Sequence, residues 1–244
     1  MNPHGSPPTF LTFPGLDALG LPHATTTRHC PGVTAPSEPT APLAPAAAPV
    51  LAAAGIDFGH VAYLRQVHGA EVRAARLGGG YSGDGDILVT ATAGTPLAIF
   101  SADCPPIILY DAAAPALATV HAGWRGTAKG AVQAAVSALV DLGARRHRLH
   151  AAIAPAIGPC CYEVDTPVVE AFTRTHGAAA TRWMTPARAG HVMLDLVRAN
   201  ADMLRAEGID QVESSGLCTA CRPDLFYSYR KGNRGRLVTV ASLA

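Results

Sequence analysis

The feature that most constrains the fold is a succession of short apolar runs between residues 60 and 121, each closed by turn residues. The runs 97–101 (Leu-Ala-Ile-Phe-Ser), 107–110 (Ile-Ile-Leu-Tyr) and 116–121 (Ala-Leu-Ala-Thr-Val-His) are apolar at consecutive rather than alternate positions. That is the pattern of strands buried on both faces. The same reading places strands at 60–67, 71–75, 86–90, 149–154, 211–214, 225–229 and 236–241. Helical spacing appears three times. Residues 127–142 put Val132, Val136, Leu139 and Val140 on one face, with Gly143 as the stop. Residues 167–175 follow a Thr166 cap and carry Pro167 in the first turn. Residues 191–207 carry Val192, Leu194, Leu196, Val197, Met203 and Leu204, and Gly208 ends them. Interleaved strands and helices imply an α/β (α+β-like) single domain, with a mixed β-sheet core flanked by helices. Ligand sites in such sheets gather in loops at strand ends.

Residues 1–22 are rich in Pro and Gly and read as a loose N-terminal segment; residues 23–244 read as one catalytic domain. Within it, residues 35–50 hold five prolines among alanines, which reads as a surface connection rather than a continuous helix. A formal net charge of +1 offers no basic surface for nucleic acid or membrane. No apolar run reaches the roughly 20 residues of a membrane span, and the first residues lack the basic and apolar regions of a secretory signal. The expectation is a cytoplasmic monomer with six reduced cysteines.

Chemistry concentrates in three turn-flanked segments: Gln-Val-His-Gly (66–69), Ala-Asp-Cys-Pro-Pro (102–106) and His-Ala-Gly-Trp-Arg-Gly (121–126). They supply His68, Cys104 and His121, each at a strand end or interrupting an apolar run. Two imidazoles and one thiolate can make a zinc site with its fourth position open to water or substrate, as catalytic sites have and structural ones lack. The alternative reading is a buried cysteine with two ordinary histidines. Asp103 either accepts from an imidazole N–H or caps the turn before Pro105 and Pro106. Asp84 and Asp86, in Gly-Asp-Gly-Asp (83–86), read as turn chemistry leading into a strand. Trp124 reads as a core aromatic, with stacking on a ligand as the alternative. Cys160-Cys161 with Cys218-x-x-Cys221 would make a closed four-cysteine zinc site only through an adjacent, poorly chelating pair. Reduced structural cysteines are the preferred reading, with Cys160 lining the pocket.

These segments, together with Ile-Gly-Pro-Cys-Cys-Tyr-Glu-Val (157–164) and Phe-Tyr-Ser-Tyr-Arg (226–230), resemble the laccase-domain proteins, formerly called multicopper polyphenol oxidases. The motifs occur in order over residues 60–244, and jointly they are very specific. The resemblance implies a single α/β domain and a zinc site made of His68, Cys104 and His121. It implies purine nucleoside phosphorylase activity on adenosine, inosine, guanosine or methylthioadenosine, with adenosine deaminase activity beside it. Thr27-Arg28 matches the family's N-terminal Ser/Thr-Arg turn, although His29-Cys30-Pro31-Gly32 replaces the Gly-Gly that follows there. A phosphorolytic enzyme must hold phosphate, so Arg28, Arg125 and Arg230 become the candidate anion binders, with backbone N–H groups near Gly123, Gly126 and a helix start near Thr127. The partners are then a purine nucleoside and phosphate.

Three rivals stand beside this reading. One is a metal-free cysteine hydrolase with Cys104 as nucleophile and His121 as base. Another is a copper-dependent phenol oxidase, although none of the ten histidines forms the close His-x-His pairs of multicopper clusters. The third is a non-catalytic metal-binding protein.

Overall fold

The structure is a computed structural model that describes residues 1–33 and 43–244. Its main sheets show why the apolar runs are continuous. In strand Pro106–Asp111, Ile107 and Leu109 point into a core shared with helices, while Ile108 points into a second core on the other face. Strand Ile87–Thr90 divides the same way, Ile87 and Val89 against Leu88. Successive side chains leave a strand on opposite faces, so a strand covered on both sides must be apolar at every position.

One sheet has six strands in the order Gln211–Ser214, His150–Ile153, Pro106–Asp111, Ala116–His121, Ile87–Thr90 and Val72–Ala74. Its inner pairings are antiparallel and its two edge strands pair in parallel, so the sheet is mixed as the sequence implies. A second sheet has seven strands in the order Asn2–His4, Phe10–Thr12, His23–Thr26, Leu237–Ala241, Leu97–Ser101, Ala62–Arg65 and Gly80–Asp84. The two sheets meet across Leu64, Leu88, Leu97, Ile108 and Leu117, all at most 1% exposed. Helices Ala131–Asp141, Thr166–His176 and Leu196–Ala206 cover the far face of the six-stranded sheet. Helix Ala48–Ala53 covers the far face of the seven-stranded one through Leu51. A small sheet of Glu163–Asp165, His191–Leu194 and Met184–Pro186 lies outside these layers.

Several local expectations change. Residues 1–22, read as a loose start, contribute two strands and helix Pro14–Ala18, and they bury Phe10, Phe13, Leu16 and Leu21. Of the Pro/Ala stretch, residues 35–42 lie outside the described residues. The remainder opens helix Ala48–Ala53, with Pro49 in the first turn, where its missing N–H costs nothing. The helix expected over 127–142 is two helices, Trp124–Ala128 and Ala131–Asp141, divided by Gly130 at φ +84°. A left-handed residue ends one helix and re-aims the next. The start of the third helix moves from 191 to Leu196. Residues His191–Leu194 pair as a strand, and the Asp195 side chain caps the helix by accepting from Arg198 N at 2.9 Å. Residues 225–229 form turns instead of a strand, because the Leu225 and Phe226 amides return to Arg222 O at 3.0 and 2.9 Å.

Candidate metal centre and active-site cavity

Strand Ala116–His121 ends on His121, which is 3% exposed. Cys104 lies in the crossing from strand Leu97–Ser101 of one sheet to strand Pro106–Asp111 of the other. His68 follows strand Ala62–Arg65 in the next loop. The ligating atoms of His68, Cys104 and His121 all lie within 4.8 Å of one another, so the structure brings the three residues together. The two imidazole rings meet edge to face, with centroids 4.9 Å apart. Among the described residues this cluster contains three ligands and no fourth.

The loops are held open against backbone strain. His68 has φ +58° and Asp103 φ +91°, values that ordinary side chains adopt only when their surroundings enforce them. Asp103 accepts from Thr219 Oγ1 at 2.6 Å, Ser228 Oγ at 3.0 Å and the Arg230 amide at 2.8 Å, while its carbonyl accepts from the Ile157 amide. It is therefore an anchor for the Cys104 turn, and it binds no imidazole.

The imidazole acceptor is Asp86, read from sequence as turn chemistry. Its carboxylate is fully buried and accepts from His121 Nδ1 at 2.7 Å and from the amides of Val67, His68 and Gly69 at 3.2, 3.0 and 2.6 Å. A carboxylate only accepts, so Nδ1 of His121 carries a proton, and Nε2 is the nitrogen that presents a lone pair to the cluster once a metal displaces its own proton. One buried acid thus orients both histidines: His121 through its ring and His68 through its backbone. Nothing in Gly-Asp-Gly-Asp separates such an acid from a turn residue; burial alone does.

Electrostatics follow the geometry. Burial opposes ionisation of the Cys104 thiol, but His121 and then His68 outweigh it and bring the thiol down to about 6. Burial also disfavours charge on His121, yet the Cys104 thiolate and Asp86 raise it to about 9. Burial pushes the Asp86 carboxyl upward, but the His121 bond and the loop amides hold it below the usual carboxylate range. Metal ligation displaces the proton from His121 Nε2, and the Cys104 thiolate and Asp86 then stand as two negative charges. A divalent cation neutralises that pair, and two nitrogens with one sulfur are a donor set suited to zinc. The residues present therefore fit the metal.

The cluster faces a cavity of about 570 Å³, within the usual range for small-molecule sites. Arg125 and Arg230 line it, as does Arg236, which sequence reasoning missed. The wall's one acid among the described residues is Asp103, already saturated by its anchors. Arg125 stacks over Trp124 with its guanidinium carbon 4.4 Å from the ring centroid, so Trp124 lines the wall as a half-buried support for a cation. Arg230 lies over Tyr162 at 5.2 Å and donates to the Glu163 carbonyl at 2.9 Å. Ser101 also lines the cavity; its hydroxyl is buried and has no hydrogen-bond partner among the described residues.

Two candidate residues are placed elsewhere. Arg28 lies over Tyr227 and donates to the Pro223 carbonyl, away from the cavity wall. Cys160 joins Cys161, Cys218 and Cys221 in a separate cluster. The helix expected near Thr127 starts instead at Trp124 and spans five residues, too short to offer an anion site at its end. Its Gly126 serves close packing, since a Cβ there would lie 2.6 Å from the Gly69 carbonyl oxygen.

The sequence model of a family described as multi-copper polyphenol oxidoreductase laccase matches residues 43–244. A purine nucleoside phosphorylase of Deinococcus radiodurans is 39% identical over 250 residues, covering 96% of this chain and 95% of its own. A protein named adenosine deaminase RL5, from an unknown prokaryotic organism, is 36% identical over 158 residues, covering 63% of this chain and 60% of its own. The crystal structure of YlmD from Geobacillus stearothermophilus superimposes with a TM-score of 0.87 at 26% identity, covering 99% of this chain and 98% of its own.

Proposed function

This chain belongs to the laccase-domain family described as multi-copper polyphenol oxidoreductase laccase, and on that premise we propose that it is a zinc-dependent purine nucleoside phosphorylase with adenosine deaminase activity. The observation that carries the reading is a three-ligand His-Cys-His cluster facing a cavity lined by three arginines. Its substrates are adenosine, inosine, guanosine and methylthioadenosine, with phosphate as co-substrate. Relatives named for phosphorolysis and for deamination support the two activities. We place the chain in the cytoplasm as a monomer, where its thiols stay reduced. For the described residues, no helix is long and apolar enough to cross a membrane.

In phosphorolysis a phosphate oxygen attacks the anomeric carbon and the carbon–nitrogen bond to the purine breaks. The electron pair leaves with the base, which gains a proton, and the products are free purine and ribose 1-phosphate, or 5-methylthioribose 1-phosphate from methylthioadenosine. The transition state has oxocarbenium character. Arg125, Arg230 and Arg236 hold the anion by charge-assisted bonds and keep it near the cluster. His68, Cys104 and His121 would hold the zinc, which supplies a Lewis acid for polarising substrate. Asp86 keeps His121 in the tautomer that leaves Nε2 free.

The test is an inosine-plus-phosphate assay with metal analysis. Cys104→Ala and His121→Ala are expected to lose the zinc held by this cluster together with nucleoside turnover while remaining folded; full activity in a variant whose His-Cys-His cluster binds no zinc refutes the reading. One observation favours a second reading, because a thiol lowered by an adjacent imidazole is also the pattern of a cysteine nucleophile. Activity that survives chelation but not thiol alkylation would select it.

A further inference from the structure

Four cysteines that the active-site account does not use meet at a second place. Cys160 and Cys161 sit in a tight turn, where the Cys161 and Tyr162 amides both return to the Gly158 carbonyl at 3.0 Å. Cys218 and Cys221 sit in another, closed by the Cys221 amide on the Cys218 carbonyl at 3.2 Å. A parallel bridge between Ala156 and Cys218 docks the two turns together. Cys221 Sγ lies 3.4 Å from Cys160 Sγ and 3.5 Å from Cys161 Sγ, and all four sulfurs lie within 4.8 Å of one another. The Gly158 amide donates to Cys218 Sγ at 3.2 Å, a bond that favours a thiolate acceptor.

A zinc ion bound to four thiolates at about 2.3 Å sets its sulfurs about 3.8 Å apart, near the spacing seen. A disulfide needs about 2.05 Å and would use two sulfurs, leaving the convergence of the other two without a reason. The adjacent pair, poorly suited to chelation in an extended chain, is brought onto one side by the turn at Gly158.

We propose that Cys160, Cys161, Cys218 and Cys221 form a closed, structural zinc site, separate from the cluster of His68, Cys104 and His121. Four soft ligands in tetrahedral array select zinc and leave no open position. Each thiol that ligates gives its proton to solvent, so affinity rises with pH. The site staples two turns that carry the cavity wall. Ile157 and Tyr162 flank the first turn, and Arg230 donates to the carbonyls of Cys161 and Glu163 at 3.4 and 2.9 Å.

The test uses the full chain carrying His68→Ala and His121→Ala, purified with reductant and incubated with zinc. The expected result is one zinc per chain, with an X-ray absorption first shell of sulfur alone at about 2.3 Å. Adding Cys218→Ser and Cys221→Ser removes that zinc and lowers the thermal midpoint. A zinc-free histidine variant, a shell containing nitrogen, or a disulfide among these four cysteines in the reduced protein overturns the proposal. Should the histidine variant fail to fold, cadmium-113 NMR of the wild-type protein reads the same point: a tetrathiolate resonance supports it and its absence overturns it. Nucleoside turnover enters none of these readouts, so failure here is distinguishable from failure of the proposed activity.

Discussion

Replacing Asp86 by Asn removes one charge and almost no volume, which isolates the role of the buried carboxylate. Oδ1 accepts from His121 Nδ1 and the His68 amide; Oδ2 accepts from the Val67 and Gly69 amides. An asparagine keeps one oxygen, so its NH₂ must face one of these donor pairs. Facing the first pair, it drives His121 to the opposite tautomer and turns an N–H toward the metal position. Facing the second, it meets two amides that cannot accept. Two hydrogen bonds to a charged acceptor, at about 1.5–3 kcal/mol each, are lost in either case. We expect the metal-free protein to lose about 3–6 kcal/mol, which leaves it folded if its total lies toward the upper part of the usual range of about 5–15 kcal/mol. Loss of such a ligand-orienting partner lowers metal affinity by about 10–100-fold. Urea denaturation of the metal-free protein measures the first quantity and competition with a chromophoric chelator the second. Asp84→Asn is the control, because Asp84 pairs with exposed Arg65 and Tyr81 and should leave zinc affinity unchanged. Zinc affinity within twofold of wild type in Asp86→Asn would refute the argument that this carboxylate sets the tautomer.

Arg125→Ala and Arg230→Ala should raise the KM for phosphate about tenfold or more, the loss of one charge-assisted contact of about 1.5–3 kcal/mol, whereas Arg28→Ala should leave it unchanged; steady-state kinetics with varied phosphate decide. In the metal-free protein, ultraviolet titration should show a thiolate forming near pH 6, absent in Cys104→Ser. The depressed Cys104 value contributes stability that is lost as pH falls through about 6, and the raised His121 value contributes stability that is lost as pH rises through about 9. Between the ordinary imidazole value and about 9 the two effects run in opposite directions, so stability there should stay nearly flat with pH in a urea series. Gly126→Ala gains about 1 kcal/mol of helix propensity but forces the Gly69 carbonyl aside at about 1–3 kcal/mol. A net loss of stability, with weakened zinc binding through the displaced His68 loop, is expected from thermal melts and chelator competition.

Strands such as Leu97–Ser101 and Ala116–His121 can be read residue by residue, because burial on both faces writes itself into consecutive apolar positions. His68, Cys104 and His121 are legible through the specific motifs that surround them, whereas sulfur and imidazole beside turn residues leave an ordinary buried cysteine and two ordinary histidines equally open. The helix over 191–207 could not be bounded, because His191–Leu194 has a spacing that suits either period and only pairing with Glu163–Asp165 and Met184–Pro186 makes it a strand. The N-terminal residues looked loose because their two strands are each three residues long and take their stability from pairing in the seven-stranded sheet, which unites the first and last parts of the chain. Asp86 and the four cysteines make the same point about chemistry. Composition and local pattern determined that strands would be buried and that three loops would carry two imidazoles and a thiol able to ligate a metal. Only the packing of one sheet on the other decided which acid lies beneath His121, which arginines face the cavity and which sulfurs meet. Those choices depend on contacts between residues far apart in sequence, and no local pattern encodes a distance across the fold.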